Sequence, residues 1–494
     1  MALGAGVGYA RGRMNILFVL GEIDPQRPNG AAATALGAAK GLRGLGHKVT
    51  AVAPLLRGID PIACALARRL TKLHVEVAAE QEALEVYTGR TSGGLDLVLL
   101  GHPELFGSVD SLLSGTPAEA ARRLAAFAAG AERYVAANDG AYDALEAFGV
   151  AGAAAVSIMA RDPEAGGPVR VLAVDDPSAQ GILPLEQAST LGLGPDARDV
   201  RHVNVLKAGL LAAERITMPC SAIGRKLASD ASEPGLAAAM ARAGERVHVI
   251  VPGIDGSVWN PLTDPQLPSR FDPIDRSGKA RCRSVISKEL GLPVRADAPL
   301  LGVIAEAKDG RGLRAFADVA RRVLRTDVLV VVAARGDGDE VFELEELRER
   351  WPDRIAVVRN ADESFVHRLL GAADLLLRPS ALVPGDFFPI AALRYGALPI
   401  VHREATAADA VVDCDPTLRT GTGFLFDALD EESLLGVIRR AVSTYGSVRA
   451  FEAVQQRAMR LDYSVERNAR VRERVYREAQ RARTEPQPTE SEAG

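Results

Sequence analysis

Two adjacent carboxylates, Asp175 and Asp176, directly follow the apolar run Val171 to Val174. Like charges placed this close raise each other's pKa and repel phosphate. The pair could hold a metal ion or a cationic ligand, but acids that follow a strand are also commonly solvated loop residues. The sequence favours the solvated loop and leaves the cationic ligand as an alternative.

A second set of charged side chains follows the apolar run Leu300 to Ala305, in the segment Glu306-Ala-Lys308-Asp-Gly-Arg311-Gly. Lysine and arginine at a strand end are suited to phosphate oxygens, and a glutamate beside them opposes that binding. Residue type alone leaves open whether Lys308 and Arg311 bind an anion or belong to a solvated loop.

A single glycine, Gly30, stands in Pro28-Asn-Gly-Ala-Ala32, where a strand meets a helix. Glycine at this point allows backbone N–H groups to approach a phosphate at the helix N-terminus. A methyl group at Ala31 crowds that approach, so the sequence favours an ordinary strand-to-helix turn.

Composition narrows the class of protein. The 494 residues include 59 Lys and Arg against 64 Asp and Glu, well mixed along the chain. This charge distribution indicates neither binding to nucleic acid nor binding to an anionic lipid surface. No apolar run approaches the roughly 20 residues needed to span a bilayer. The four cysteines lie far apart without a CxxC pair, so we expect no zinc site, no disulfide framework, no metal, no cofactor and a cytoplasmic location.

Short apolar runs alternate with helical patterns, which predicts parallel strands covered on both faces. One series contains Ile16 to Leu20, Val49 to Ala53, Leu95 to Leu100, Val171 to Val174 and Val247 to Val251. A second contains Leu300 to Ala305, Val328 to Ala334, Ile355 to Val358, Asp374 to Leu377 and Leu398 to Val401.

Two series of this kind predict an α/β protein of two Rossmann-like, doubly wound domains that face a deep cleft. We expect a disordered extension at 1–13, an N-terminal domain at 14–251, a C-terminal domain at 252–464, a C-terminal helix at 465–483 and a disordered tail at 484–494. The hinge is expected near Val251 to Asp255.

Several ordered segments resemble the glycogen and starch synthases. They are Val203-Asn-Val-Leu-Lys-Ala-Gly209, Ala213-Glu-Arg-Ile-Thr217, Pro252-Gly-Ile-Asp-Gly-Ser-Val-Trp-Asn-Pro261, Pro379-Ser380, Leu393-Arg-Tyr-Gly-Ala-Leu-Pro-Ile-Val401, Thr422-Gly-Phe-Leu-Phe426 and Met459-Arg-Leu-Asp-Tyr-Ser464. The resemblance implies the GT-B fold and retaining transfer of glucose from ADP-glucose to an α-1,4-glucan. It makes Gly30, Lys207, Lys308, Arg311, Asp386 and Phe387 the candidate contacts of a nucleotide sugar.

The motifs that contact the donor are altered in the N-terminal half. The family's Lys-Thr-Gly-Gly-Leu corresponds to Pro28-Asn-Gly-Ala-Ala32, where one glycine remains and the lysine is gone unless Arg27 replaces it. The family's His-Asn pair, which contacts the transferred sugar, corresponds to Asp175-Asp176. We therefore place Asp175 at a catalytic position whose residue type has changed.

The C-terminal half also departs from the family's donor-contacting motifs. The family's Arg-Leu-Thr-x-Gln-Lys-Gly becomes the segment from Glu306 to Gly312, in which Arg311 keeps the second cation and Glu306 inverts the first. A unit charge at a separation of about 4 Å contributes roughly 4 kcal/mol at an effective dielectric of about 20. Reversing its sign therefore weakens diphosphate binding by up to about 8 kcal/mol before screening, unless Lys308 compensates.

After Pro379-Ser380 the family's Arg-Phe-Glu-Pro-Cys-Gly-Leu becomes Ala381-Leu-Val-Pro-Gly-Asp-Phe387. Val383 replaces the glutamate that lies against the reacting sugar and cannot stabilise developing positive charge. We expect Asp386 to be the N-cap of a helix from Phe387 to Tyr395. The family's Thr-Gly-Gly-Leu becomes Glu404-Ala-Thr-Ala407, without glycine.

These changes predict a glycogen or starch synthase-like glycosyltransferase in which catalysis is weakened or lost. Asp175, Glu306, Arg311 and Val383 mark the altered catalytic positions. The alternative is a non-catalytic paralogue that binds glucan or regulates glycogen metabolism, and a transferase for an uncharged or lipid-linked donor is a third hypothesis. The expected partners are ADP-glucose or another nucleotide sugar, and α-1,4-glucan or glycogen.

Overall fold

The computed structural model describes residues 12–23, 30–91, 93–138, 140–161, 167–229, 235–306 and 312–484, with the side chain of residue 31 left aside. Most of the expected extension and tail, at residues 1–11 and 485–494, lies outside the described residues.

A large sheet forms the first half of the molecule. Its strands are β1 Asn15–Val19, β2 Lys48–Pro54, β3 Leu66–Arg68, β4 Leu73–Val77, β5 Glu80–Arg90, β6 Asp96–Gly101, β7 Ala144–Phe148 and β8 Val169–Ala173. A separate antiparallel pair, β9 Ile182–Pro184 and β10 His202–Asn204, precedes the last two strands of the large sheet, β11 Arg215–Met218 and β12 Val247–Val249.

The order β12-β11-β8-β7-β1-β2-β6 is parallel throughout, and β5 joins antiparallel to β6. Strands β3 and β4 both pair antiparallel with β5. The chain therefore winds from β1 outward in one direction and returns to start again at β7, which makes the gap between β1 and β7 a topological switch point.

A six-stranded parallel sheet forms the second half. Its strands are β13 Leu300–Glu306, β14 Leu329–Arg335, β15 Ile355–Arg359, β16 Leu375–Arg378, β17 Leu398–His402 and β18 Phe424–Phe426. Their order, β15-β14-β13-β16-β17-β18, is the doubly wound order of dinucleotide-binding sheets. Its switch point lies between β13 and β16.

Helices cover both faces of the two sheets. They are α1 Gly30–Gly44, α2 Pro117–Ala137, α3 Gly149–Met159, α4 Ala188–Leu191, α5 Val205–Ala212, α6 Ser221–Leu227, α7 Leu236–Ala243, α8 Ser277–Glu289, α9 Gly312–Val323, α10 Asp339–Arg350, α11 Glu363–Ala372, α12 Phe388–Tyr395, α13 Glu431–Tyr445, α14 Val448–Met459 and α15 Val465–Thr484.

The predicted α/β architecture of two doubly wound sheets is confirmed, and each apolar run lies on a strand. The expectation of purely parallel strands is incomplete, because β3, β4 and β5 add an antiparallel extension. Strand β7 was not predicted. The domain boundaries at 14–251 and 252–464 stay a prediction.

The chain crosses between the halves at two adjacent places. The amide of Ile254 donates to the carbonyl oxygen of Tyr463 at 2.8 Å, and the amide of Val465 donates to the carbonyl oxygen of Ile254 at 3.1 Å. Helix α15 then returns to the first half, where Ala469 and Tyr476 are fully buried in the same core as β1. The second half is thus tied to the first by a pair of backbone crossings and by the final helix.

Candidate functional site

A cavity of about 430 Å³ opens at the switch point of the first sheet. Its wall is built from residues at the carboxyl ends of β1, β7 and β8, including Glu22, Gly149 and Asp175. Gly30 at the start of α1 and Pro384 from the second half close its other side. We call it the strand-end cavity. Ligands of doubly wound folds bind at this position, beyond the carboxyl ends of the strands.

Asp175 lies on the cavity wall and is buried, with 6% of its surface exposed. Its Oδ2 atom accepts no hydrogen bond from any residue that the structure describes. Burial raises the pKa of Asp175 to about 6, Glu146 and Asp176 act in the same direction, and Arg472 opposes them. The solvated-loop interpretation is therefore wrong for Asp175, because β8 ends under the cleft and not at the surface.

Asp176 is half-buried beside it and has a local structural role. Its Oδ1 accepts hydrogen bonds from the backbone amide of Ser178 at 2.8 Å and from the Ser178 hydroxyl at 2.6 Å. This turn fixes the direction in which the chain leaves β8.

A buried charged cluster lies behind Asp175, and it was not anticipated from the sequence. Glu146 in the middle of β7 is fully buried and accepts hydrogen bonds from Arg472, Tyr476 and Thr217, the last at 3.0 Å. Arg472 and Tyr476 belong to α15, so the final helix supplies the countercharge for a carboxylate inside the first sheet. An acid within a short apolar run was the signal that could have identified this cluster.

Gly30 meets the second half of the molecule directly. It has a φ of +46°, and Gly385 opposite has a φ of +75°. A Cβ atom added to Gly385 would lie 2.6 Å from the carbonyl oxygen of Gly30. The two glycines therefore allow the strand-to-helix turn of the first half to touch residues 379–387, which we call the β16–α12 loop.

Val383, in this loop, is held by the segment that follows β17. The Thr406 hydroxyl donates to the Val383 carbonyl oxygen at 2.7 Å and accepts from the Val383 amide at 3.1 Å. Thr406 is 1% exposed and belongs to Glu404-Ala-Thr-Ala407. Two segments that resemble donor-binding motifs are thus fastened to each other through their own polar groups.

Asp386 is buried and paired. Its Oδ2 accepts from Arg378 Nε at 2.8 Å, and its Oδ1 accepts from the amide of Phe388 at 3.1 Å. Helix α12 begins at Phe388 with Phe387 as its N-cap, one residue later than expected, and Asp386 precedes that cap. The carboxylate satisfies the first amide of α12 and the guanidinium beneath it.

The remaining candidates are spread through the two halves. Phe387 packs edge-on against Trp259, with ring centroids 5.2 Å apart. Glu306 ends β13 in register with Arg335 on β14. Lys207 lies beside the turn at Gly235, where an added Cβ would come 2.7 Å from its Nζ, and it is not among the described residues that line the strand-end cavity.

Lys308 and Arg311 lie outside the described residues, as do Arg27, Pro28 and Asn29. The structure therefore brings together Gly30, Asp175 and the β16–α12 loop, while Lys207 stands apart from them.

Neither a metal centre nor a membrane segment is found in the part of the chain that is described. Those residues hold no group of three or more His, Cys, Asp or Glu side chains placed to bind a metal ion. None of their helices is both long and apolar enough to cross a bilayer. Cys64, Cys220, Cys282 and Cys414 form no disulfide bond with one another.

Two doubly wound sheets that face a common cleft define the GT-B fold. The fold matches the catalytic domain of starch synthase IV from Arabidopsis thaliana, a structure bound to ADP and acarbose, with a TM-score of 0.79, 20% identity and coverage of 95% of this chain and 99% of that one. It also matches sucrose-phosphate synthase from Thermosynechococcus elongatus, with a TM-score of 0.60, 15% identity and coverage of 95% and 100%.

Residues 15–222 match the model of the starch synthase catalytic domain. Glycogen synthase from Anaeromyxobacter dehalogenans strain 2CP-C is 32% identical over 487 residues, covering 94% of this chain and 99% of the relative. Glycogen synthase from Streptococcus equi subsp. zooepidemicus is 33% identical over 263 residues, covering 53% and 55%. The chain belongs to the glycogen and starch synthase family of glycosyltransferases.

Proposed function

We propose that this member of the family has weakened or lost the transfer of glucose from ADP-glucose to α-1,4-glucan. The observation that carries the proposal is the β16–α12 loop. Its Val383 stands where the family motif has a glutamate, and its backbone amide and carbonyl oxygen bond to Thr406. A valine there provides no acceptor or charge for a reacting sugar.

The charges around the cleft support the same proposal. The charged side chains on the described wall of the strand-end cavity are Glu22, Asp175 and Asp176. Glu306 ends the central strand of the second sheet, where the family motif has an arginine. A diphosphate leaving group is stabilised by cations and free N–H donors, and carboxylates repel it.

The carboxylate of Asp386 further reduces the capacity for phosphate. Helix N-termini bind anions through unpaired amides. At α12 the amide of Phe388 already donates to Asp386, whose charge is compensated by the buried Arg378. A donor phosphate would have to displace this internal carboxylate.

A glucan-binding or regulatory role is the second candidate function. Alignment with the Anaeromyxobacter relative covers nearly the full length of both chains. Backbone hydrogen bonds join Ile254 to Tyr463 and Val465. A family member that keeps the scaffold but changes the donor contacts is suited to binding a glucan or a partner without transferring glucose.

Calorimetry with ADP and ADP-glucose tests the proposal, with the Anaeromyxobacter dehalogenans glycogen synthase as the positive control. We expect no binding at micromolar concentrations and no incorporation of labelled glucose into glycogen. Retention of the chain on immobilised glycogen would favour the second candidate. Micromolar affinity for ADP-glucose together with turnover would refute the loss of transfer.

A reconstruction provides the matched comparison. The double variant Val383→Glu with Glu306→Arg restores the residue types of the family motif. The control variant Val383→Leu with Glu306→Gln changes the same positions without supplying either group. Turnover gained only by the first variant would indicate that the scaffold still positions both substrates.

A further inference from the structure

The charged side chains described on the wall of the strand-end cavity all have the same sign. Among the described residues that line it, the charged side chains are all acids, namely Glu22, Asp175 and Asp176, and no lysine, arginine or histidine is present. Ser111 adds a hydroxyl, and the other lining residues are apolar or glycine. A ligand of this cavity must therefore supply hydrogen-bond donors and positive charge.

Asp175 is the buried member of this set of acids. It is more than nine-tenths buried, and none of the described residues donates a hydrogen bond to its Oδ2. The cation that acts on it, Arg472, donates its hydrogen bonds to Glu146 and to Asn468. A buried carboxylate that lacks a donor is destabilised in its charged form, and a cation bound beside it in the cavity would offset part of that cost.

The three acids lie at different depths. Glu22 is exposed, Asp176 is half-buried with its Oδ1 engaged by Ser178, and Asp175 is buried. A cation entering the cavity would thus meet negative charge from the mouth to the wall. The described residues offer no three-ligand metal cluster, which favours an organic cation over a metal ion.

The size and the walls of the cavity restrict the ligand further. A volume of about 430 Å³ is in the range of small-molecule sites. Phe148, Val150 and Leu112 provide apolar surface for the C–H faces of a ring. We propose that the strand-end cavity binds a small organic cation that carries a primary ammonium group on a sugar-sized ring, with Asp175 accepting a hydrogen bond from the ammonium.

The proposal goes beyond the loss of glucosyl transfer and does not depend on it. Three sugars that differ only at one ring substituent provide the probe: glucosamine with an ammonium group, glucose with a hydroxyl and N-acetylglucosamine with a neutral amide. Titration calorimetry near pH 7 should give at least tenfold tighter binding of glucosamine than of either neutral sugar.

Variants locate the site. Asp175→Asn keeps the shape of the side chain and removes its charge, and it should abolish the preference for glucosamine. Ala179→Leu adds volume to the wall and should block all three sugars. Circular dichroism and thermal unfolding establish that each variant is folded, so a lost preference in a folded Asp175→Asn protein reports on the site.

Absence of glucosamine binding would overturn the proposal, and so would a preference that survives in Asp175→Asn. Equal affinity for the three sugars would also overturn it. None of these outcomes bears on ADP-glucose, whose binding and turnover are measured separately, so the two proposals can fail independently.

Discussion

Replacing Asp175 with asparagine should stabilise the protein at neutral pH. The carboxylate is buried, its Oδ2 has no donor within the described part of the chain, and burial raises the pKa of Asp175 from 3.8 to about 6. The folded state therefore holds this proton more tightly than the unfolded state does. Asparagine has nearly the same shape and no charge, so it removes the cost of ionising a buried group.

The magnitude follows from the shift in pKa. About 2 pKa units correspond to ~3 kcal/mol at 1.36 kcal/mol per unit. Because the folded pKa is the higher one, the contribution of Asp175 to stability is fully present below pH 3.8 and is lost as the pH rises through about 6. Asp175→Asn should thus raise the free energy of unfolding by ~3 kcal/mol near pH 7.5 and by ~1 kcal/mol near pH 4.5.

Denaturant unfolding of both proteins across this pH range is the assay, with fluorescence and circular dichroism as probes. Asp176→Asn is the matched control, because asparagine retains the Oδ1 acceptor that the Ser178 turn requires. We expect no comparable stabilisation from it. A destabilised Asp175→Asn protein near pH 7.5, or an effect that is the same at both pH values, would refute the assignment of Asp175 as a strained buried carboxylate.

Three further substitutions test the packing around the cleft and beneath it. Arg378→Met should lower the free energy of unfolding by about 3–5 kcal/mol, because it leaves Asp386 buried without its ion-pair partner. Combining it with Asp386→Asn should recover much of that loss in a double-mutant cycle measured by denaturation. Thr406→Val removes both hydrogen bonds to Val383, so we expect the free energy of unfolding to fall by about 1–3 kcal/mol and the Val383 amide to exchange its hydrogen faster. Unchanged exchange would contradict the role of Thr406 in holding the β16–α12 loop. Lys279→Met should lower the free energy of unfolding by roughly 3 kcal/mol in the same denaturation assay, since the buried ammonium donates to three backbone carbonyl oxygens that would lose this donor. An unchanged free energy of unfolding would contradict this role of Lys279.

The pattern of residues by itself determined the architecture. Continuous apolar runs such as Leu300 to Ala305 and Val328 to Ala334 identify strands buried on both faces, and these runs became β13 and β14. Strand β7 escaped prediction because Glu146 interrupts a five-residue strand. Strand β5 alternates buried and more exposed side chains, and this alternation is a weaker signal of a strand than a continuous apolar run.

Only the tertiary structure decided the character of the site. Glu146 can be buried in β7 because Arg472 comes from 326 residues further along the chain, and the same arginine partly offsets the effect of burial on the pKa of Asp175. The contact of Gly30 with Gly385 also joins segments that are remote in sequence. Burial, pairing and pKa depend on neighbours supplied by such long-range packing, whereas strand formation depends on a local pattern of side chains.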